Sequence, residues 1–135
     1  MRMLVPMVGD LFHYGHVNLL KKIKEEYPNS IIVIGLHTNE SVVKYKRNPI
    51  LNYDERYRII ESCRYVDEII EFDCEIIVND SYLKKYNLDL LIHAHSKSED
   101  EKYQQLFINI ADKFVRFDYT NGISTTEIIN RIKQK

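Results

Sequence analysis

Three observations predict an α/β fold. Short apolar runs alternate with stretches of helical periodicity, turn residues separate them, and two of the runs are apolar almost throughout. Ile31 to His37 (IIVIGLH) and Asp89 to Ala94 (DLLIHA) are those two runs. A strand covered on both faces of a parallel sheet has that character, because neither face meets water. Strands joined through helices need right-handed crossovers, so the expected architecture is a three-layer α/β/α domain on a parallel sheet.

The elements follow in order. Met3 to Val8 reads as the first strand, and His16 to Glu26 as a helix with Leu19, Leu20 and Ile23 on one face. Tyr27-Pro28-Asn29-Ser30 supplies a turn before the second strand, Ile31 to His37. Asp54 to Cys63 is expected to be helical, Glu68 to Phe72 a strand, and Asn79 to Tyr86 a further helix. The strand Asp89 to Ala94 leads to a helix over Glu99 to Asp112, a last strand over Lys113 to Asp118, and a closing helix over Ser124 to Lys133. No repeat or Pro/Gly-rich linker divides the chain, so residues 1–135 are expected to form a single domain.

Composition narrows the class. With 44% hydrophobic and 29% charged residues, the 135-residue chain matches an ordinary globular protein. The formal net charge of −1, from 19 Lys+Arg against 20 Asp+Glu, gives no basic footprint for nucleic acid. No apolar run is long enough to span a membrane, and Met1 to Gly9 lacks the organisation of a signal peptide. Cys63 and Cys74 match no metal or redox spacing, so a cytoplasmic protein with free thiols is expected.

In open α/β sheets ligands sit beyond the carboxyl ends of the strands. That places chemistry after Val8, around His37, after His93 and after Asp118. The first position carries Asp10-Leu11-Phe12-His13-Tyr14-Gly15-His16. Two histidines three apart at a helix start can face one ligand, and Gly15 lets backbone approach it. The helix amino end adds unpaired N–H groups that favour phosphate; two solvated histidines are the plainer reading. The last position carries Asn121-Gly122-Ile123-Ser124-Thr125-Thr126-Glu127, with three hydroxyls at a helix start. Ser124 and Glu127 also form an S-x-x-E capping pattern that needs no ligand, whereas Thr125 and Thr126 are poor helix formers left unexplained by it. Lys44-Tyr45-Lys46-Arg47 is a basic loop, suited to closing over a triphosphate or simply solvated.

Together these pieces resemble the cytidylyltransferases acting on glycerol 3-phosphate, phosphocholine and phosphoethanolamine. The carriers are HYGH at His13 to His16, ERY at Glu55 to Tyr57, RYVDE at Arg64 to Glu68 and GISTT at Gly122 to Thr126, in the family's order. The resemblance implies a Rossmann-like domain of nucleotidyltransferase type that transfers CMP from CTP to a small phosphorylated metabolite. The products would be pyrophosphate and a CDP-linked compound, formed by direct in-line displacement with Mg²⁺ as cofactor. It also implies a homodimer. His13 and His16 would hold the triphosphate and stabilise charge at the α-phosphate, and Lys46 would bind phosphates of both substrates. Val8, Gly9 and Gly15 would lie beside the nucleotide. Arg64, Tyr65 and Asp67 would shape the cytosine pocket, Asp67 being the side chain placed in it. Gly122 and Ile123 would present Ser124, Thr125 and Thr126 to the β- and γ-phosphates. Asp10, His93 and His95 would face the acceptor.

The chain departs from the family pattern in three places. The GxFD opening is here Met7-Val8-Gly9-Asp10, with Pro6 before it. The arginine of RTEGIST is Tyr119, which lacks a guanidinium's fixed fork of donors, leaving Arg116 or Arg131 as candidate substitutes. The acidic pair expected after the fourth strand is missing from His93-Ala94-His95-Ser96-Lys97-Ser98. A quaternary ammonium wants carboxylates or an aromatic cage, so a glycerol 3-phosphate-like acceptor is favoured over phosphocholine. Two other functions fit part of the pattern: an ATP-dependent adenylyltransferase of the same superfamily, and a CTP-binding module without catalysis.

Overall fold

A computed structural model describes residues 1–135, the side chain of Tyr45 excepted. Five strands, β1 (Arg2–Met7), β2 (Ile31–His37), β3 (Glu68–Phe72), β4 (Leu90–Ala94) and β5 (Phe114–Phe117), form one sheet in the order β3-β2-β1-β4-β5. Every pairing is parallel. The helices are α1 (Tyr14–Glu26), α2 (Asn39–Tyr45), α3 (Tyr53–Glu61), α4 (Asp80–Lys85), α5 (Asp100–Leu106) and α6 (Thr125–Lys133).

Alternation along β1 builds the layers. Met3, Val5 and Met7 join Leu20 and Ile23 of α1 and Ile60 of α3 in one apolar cluster. Leu4, on the opposite face, joins Val33, Leu83 of α4 and Ile110 in a second. Successive side chains of a strand point to opposite faces, so a fully buried strand needs apolar residues at both parities. Met3, Leu4 and Val5 are all buried. The expected three-layer α/β/α architecture is therefore present.

Most expected boundaries hold to within two residues. Helix α2 has no counterpart among the expected elements and takes in Lys44 of the segment read as a basic loop; Glu99 to Asp112 is expected as one helix. It is instead a 3₁₀ turn (Lys97–Glu99), α5, and a second 3₁₀ stretch (Ile108–Lys113). Ile110 leaves helical geometry at φ −129° and is fully buried among the second cluster. Branched Ile108 and Ile110 are weaker helix formers than the residues of α5, and core burial of Ile110 decides the backbone path.

The strand order reverses between β1 and β4. From β1 the chain winds outward through β2 and β3, then returns to place β4 and β5 on the other side. Loops leaving the carboxyl ends of β1 and β4 diverge there and open a crevice. No helix among the described residues is long and apolar enough to cross a membrane.

Candidate active site

A cleft of about 760 Å³ occupies that reversal point. Its floor is the chain leaving β1, from Pro6 to Asp10, with Ala94 at the end of β4. Its walls are the starts of α1 and α6 and the Lys46-Arg47 loop.

The start of α1 is set by its two histidines. His13 is the N-cap, with extended backbone, and its Nδ1 accepts the N–H of Gly15 at 3.1 Å. The N–H of His13 in turn donates to Nδ1 of His16, also at 3.1 Å. This is a capping box in which imidazoles replace the usual hydroxyl and carboxylate. It extends the helix two residues earlier than the periodicity of His16 to Glu26 predicts. It also fixes the chemistry: with both Nδ1 atoms accepting, each neutral ring carries its proton on Nε2. Burial, then the charges of His13 and Lys46, pushes His16 down to about 3, and burial also lowers His13. The pair is therefore a set of neutral N–H donors near pH 7.

Gly15 and Gly9 are needed for space. A Cβ on Gly15 would lie 2.8 Å from Cε1 of His13 and 3.1 Å from Cγ2 of Ile123. Gly9 has φ +64°, and a Cβ there would sit 2.6 Å from Cδ1 of Ile60. The altered opening Met7-Val8-Gly9-Asp10 is thus accommodated by a left-handed glycine packed on α3.

The second helix amino end comes from α6. Ser124 Oγ accepts the N–H of Glu127 at 3.0 Å and so keeps its own proton for another acceptor. Half of the expected capping box is absent, because the Glu127 carboxylate accepts from Arg131 instead. Thr125 Oγ1 donates to the carbonyl of Asp10 at 2.7 Å, tying α6 to the β1 loop across 115 residues of sequence. Gly122, Ile123 and Thr126 complete this wall.

Asp10 lines the cleft, but its carboxylate is committed to protein. It is 2% exposed and accepts the N–H groups of Ile50 at 2.8 Å and Leu51 at 2.9 Å. That clamps the loop carrying Lys46 and Arg47. The basic cluster splits: Lys44 pairs with Glu75 at 2.9 Å, whereas Lys46 and Arg47 reach the cleft. Desolvation and the adjacent Arg47 lower Lys46, opposed by Asp10.

Sequence reasoning missed Arg56, which is 0% exposed. Its guanidinium donates to the carbonyls of Val8 and His37, each at 2.8 Å, to Leu51 at 3.0 Å and to Asn39 at 2.9 Å. One side chain thus joins the ends of β1 and β2 to the loop after α2. The ERY pattern contained it, but no periodicity marks an arginine as buried. Tyr119, Thr120 and Asn121 also line the cleft beyond the expected residues.

Other expected residues lie elsewhere. Asp67 precedes β3 at the amino ends of the strands, where its carboxylate accepts from Lys24 at 2.7 Å and from the Ile32 N–H at 2.8 Å. Arg64 donates to the Tyr65 hydroxyl at 2.9 Å on the same side of the sheet. Neither they nor Asp67 are brought to the cleft. His93 and His95 turn away from it: their Nδ1 atoms share a 3.0 Å hydrogen bond, and His95 Nε2 pairs with Asp100 at 2.7 Å. Both rings pack on Tyr103, at 4.2 and 4.5 Å between centroids. Burial lowers His93 to about 4. Ala94, between them, is the residue that faces the cleft. Of the arginines suggested as substitutes at Tyr119, Arg116 bonds Asp118 and Arg131 bonds Glu127.

A parallel α/β sheet with two helix amino ends converging on its reversal point has the form of a doubly wound, Rossmann-like domain with an anion-binding crevice. The chain belongs to the cytidylyltransferase-like family, whose model matches residues 9–131. Among its relatives, a probable ethanolamine-phosphate cytidylyltransferase of Encephalitozoon cuniculi is 33% identical over 93% of this chain and 39% of its own length. The ethanolamine-phosphate cytidylyltransferase of Dictyostelium discoideum is 33% identical over 91% of this chain and 34% of its own length. Choline-phosphate cytidylyltransferase 2 of Arabidopsis thaliana is 30% identical, covering 93% and 42% respectively. The chain thus spans well under half the length of these relatives. A solved structure of a lipopolysaccharide core biosynthesis protein from Thermoplasma volcanium shares the fold, with a TM-score of 0.71 at 18% identity, over 90% of this chain and 98% of that one.

Proposed function

We propose that this chain transfers CMP from CTP to a small phosphorylated metabolite, releasing pyrophosphate. One observation carries the reading: His13 and His16 are locked by backbone bonds so that both present Nε2–H donors at the amino end of α1, within the cleft. A phosphate oxygen of the acceptor is already a nucleophile near neutral pH. The protein's task is to align two anions and offset their charge. The histidines would donate to α-phosphate oxygens, Lys46 would offset charge on both substrates, and Ser124, Thr126 and the α6 amino end would hold the outgoing phosphates. In-line displacement would then proceed without a covalent enzyme intermediate. Relatives named as cytidylyltransferases support CTP as the donor.

Among the described residues, no group of three or more His, Cys, Asp or Glu side chains could hold a metal. Mg²⁺ would enter on the triphosphate oxygens and neutralise part of their charge.

For the acceptor we favour a neutral or anionic head group, with glycerol 3-phosphate as the example. The carboxylates lining the cleft, Asp10, Asp118 and Glu127, are each engaged within the protein. Both Asp10 oxygens accept backbone N–H groups, the charges of Asp118 and Glu127 are each offset by an arginine, and Ala94 offers no charge. The names of the relatives favour a second reading, phosphoethanolamine or phosphocholine. Pyrophosphate release with each nucleoside triphosphate against these three acceptors tests both. Release with CTP and glycerol 3-phosphate supports the first reading, and release only with an amino-alcohol phosphate supports the second. Release only with ATP would replace the cytidylyl reading, and CTP binding without turnover against a wider panel of phosphorylated metabolites would favour a CTP-binding module without catalysis. The proposal includes a homodimer, which light scattering would test.

A further inference from the structure

The charge lining the cleft is short of what two phosphorylated substrates bring. Among the described residues, Lys46 and Arg47 are the lysine and arginine side chains that line it. The other nearby arginines are engaged, Arg116 with Asp118 and Arg131 with Glu127. Arg116 shares with Arg47 a buried Nε without a hydrogen-bond partner among the described residues, but Arg116 pairs with Asp118 and does not line the cleft, as Arg47 does. The carboxylate nearest Arg47, Asp10, lies 3.9 Å from Nη2, beyond hydrogen-bond length, and is already occupied by two backbone N–H groups. A buried, unpaired N–H is costly, and a guanidinium edge matches two phosphate oxygens at once. The Asp10 clamp on Ile50 and Leu51 holds the same loop against the cleft floor, so Arg47 is positioned in advance.

Resting on the CTP reading, we propose that Arg47 binds the triphosphate of the donor nucleotide, with its guanidinium fork directed at the outgoing phosphates. Lys46, on the same loop, is a single point charge without that fork. The role needs planar, paired donors, so lysine would not replace arginine.

Calorimetric titration of the whole chain with CTP and with CMP, in magnesium buffer, tests this in wild type, Arg47→Ala and Arg47→Lys. Charge-assisted hydrogen bonds to phosphate lead us to expect CTP affinity to fall by about tenfold or more in both variants, with CMP affinity within about twofold. Equal weakening of CTP and CMP would mean a structural role and overturn the inference, as would full CTP affinity in either variant. Wild type that fails to bind CTP would instead refute the underlying reading. Circular dichroism melts of the variants would show that the comparison is made on folded protein.

Discussion

Nδ1 of His16 accepts the backbone N–H of His13 at 3.1 Å, so a single ring both caps α1 and directs its opposite nitrogen outward. The two duties are separable by substitution. Asparagine can keep an acceptor near Nδ1 but cannot extend a donor to the position of Nε2. His16→Asn should therefore melt close to wild type while kcat/KM for pyrophosphate release falls by roughly 100-fold, the scale of losing one transition-state donor. Equal loss of stability and activity would assign His16 to the cap alone.

Arg56 predicts the opposite pattern. Arg56→Met removes donors from the carbonyls of Val8 and His37 and leaves them buried. Orphaned buried acceptors cost enough that unfolding stability should drop by about 3 kcal/mol or more, read from urea titration. An unchanged midpoint would mean the loop needs no such tie.

Acid should weaken the fold before the carboxylates titrate. Burial, the largest cause in each case, holds His16 at about 3 and His37 and His93 at about 4, against an ordinary value of 6.5. Their folded values lie below the unfolded ones, so the unfolded chain takes up protons first. Stability is then full above the unfolded value and declines as pH falls through 6.5 towards 4. Urea midpoints at about pH 7.5 and about pH 5 should differ, with the lower one at acid pH. His37→Gln should reduce that difference; a midpoint independent of pH would show that these rings gain protons without loss.

Asp67 separates two views of the RYVDE segment. Its bonds to Lys24 and to the Ile32 N–H clamp the amino ends of β2 and β3. Asp67→Ala should lower stability by about 1–3 kcal/mol while leaving CTP affinity within about twofold. A tenfold loss of CTP affinity without destabilisation would restore the cytosine-pocket role that family resemblance implies.

The order of elements was legible because burial on both faces writes itself as runs such as Ile31 to His37, and helix faces as spacings such as Leu19, Leu20 and Ile23. The cleft was legible where motif and topology coincide: His13, His16, Lys46 and Ser124 to Thr126 all fall at carboxyl ends of strands. Three features were not. Asp67 lies at the wrong end of its strand to reach the cleft, which depends on a boundary between α3 and β3 rather than on residue type. His93, and His95 one residue beyond β4, pack on the sheet face opposite the cleft, leaving Ala94 to line it. Arg56 is buried because four acceptors converge from separate segments, a tertiary fact with no local pattern. The broken helix over Glu99 to Asp112 has the same origin, since core packing of Ile110 overrides its local periodicity.

The most direct measurement is pyrophosphate release by the whole chain with Mg²⁺ and each nucleoside triphosphate, against glycerol 3-phosphate, phosphoethanolamine and phosphocholine. Release with CTP and one of these acceptors, lost in His16→Asn while the protein stays folded, is the expected result. Release with ATP alone, or CTP-dependent release undiminished in His16→Asn, would contradict it.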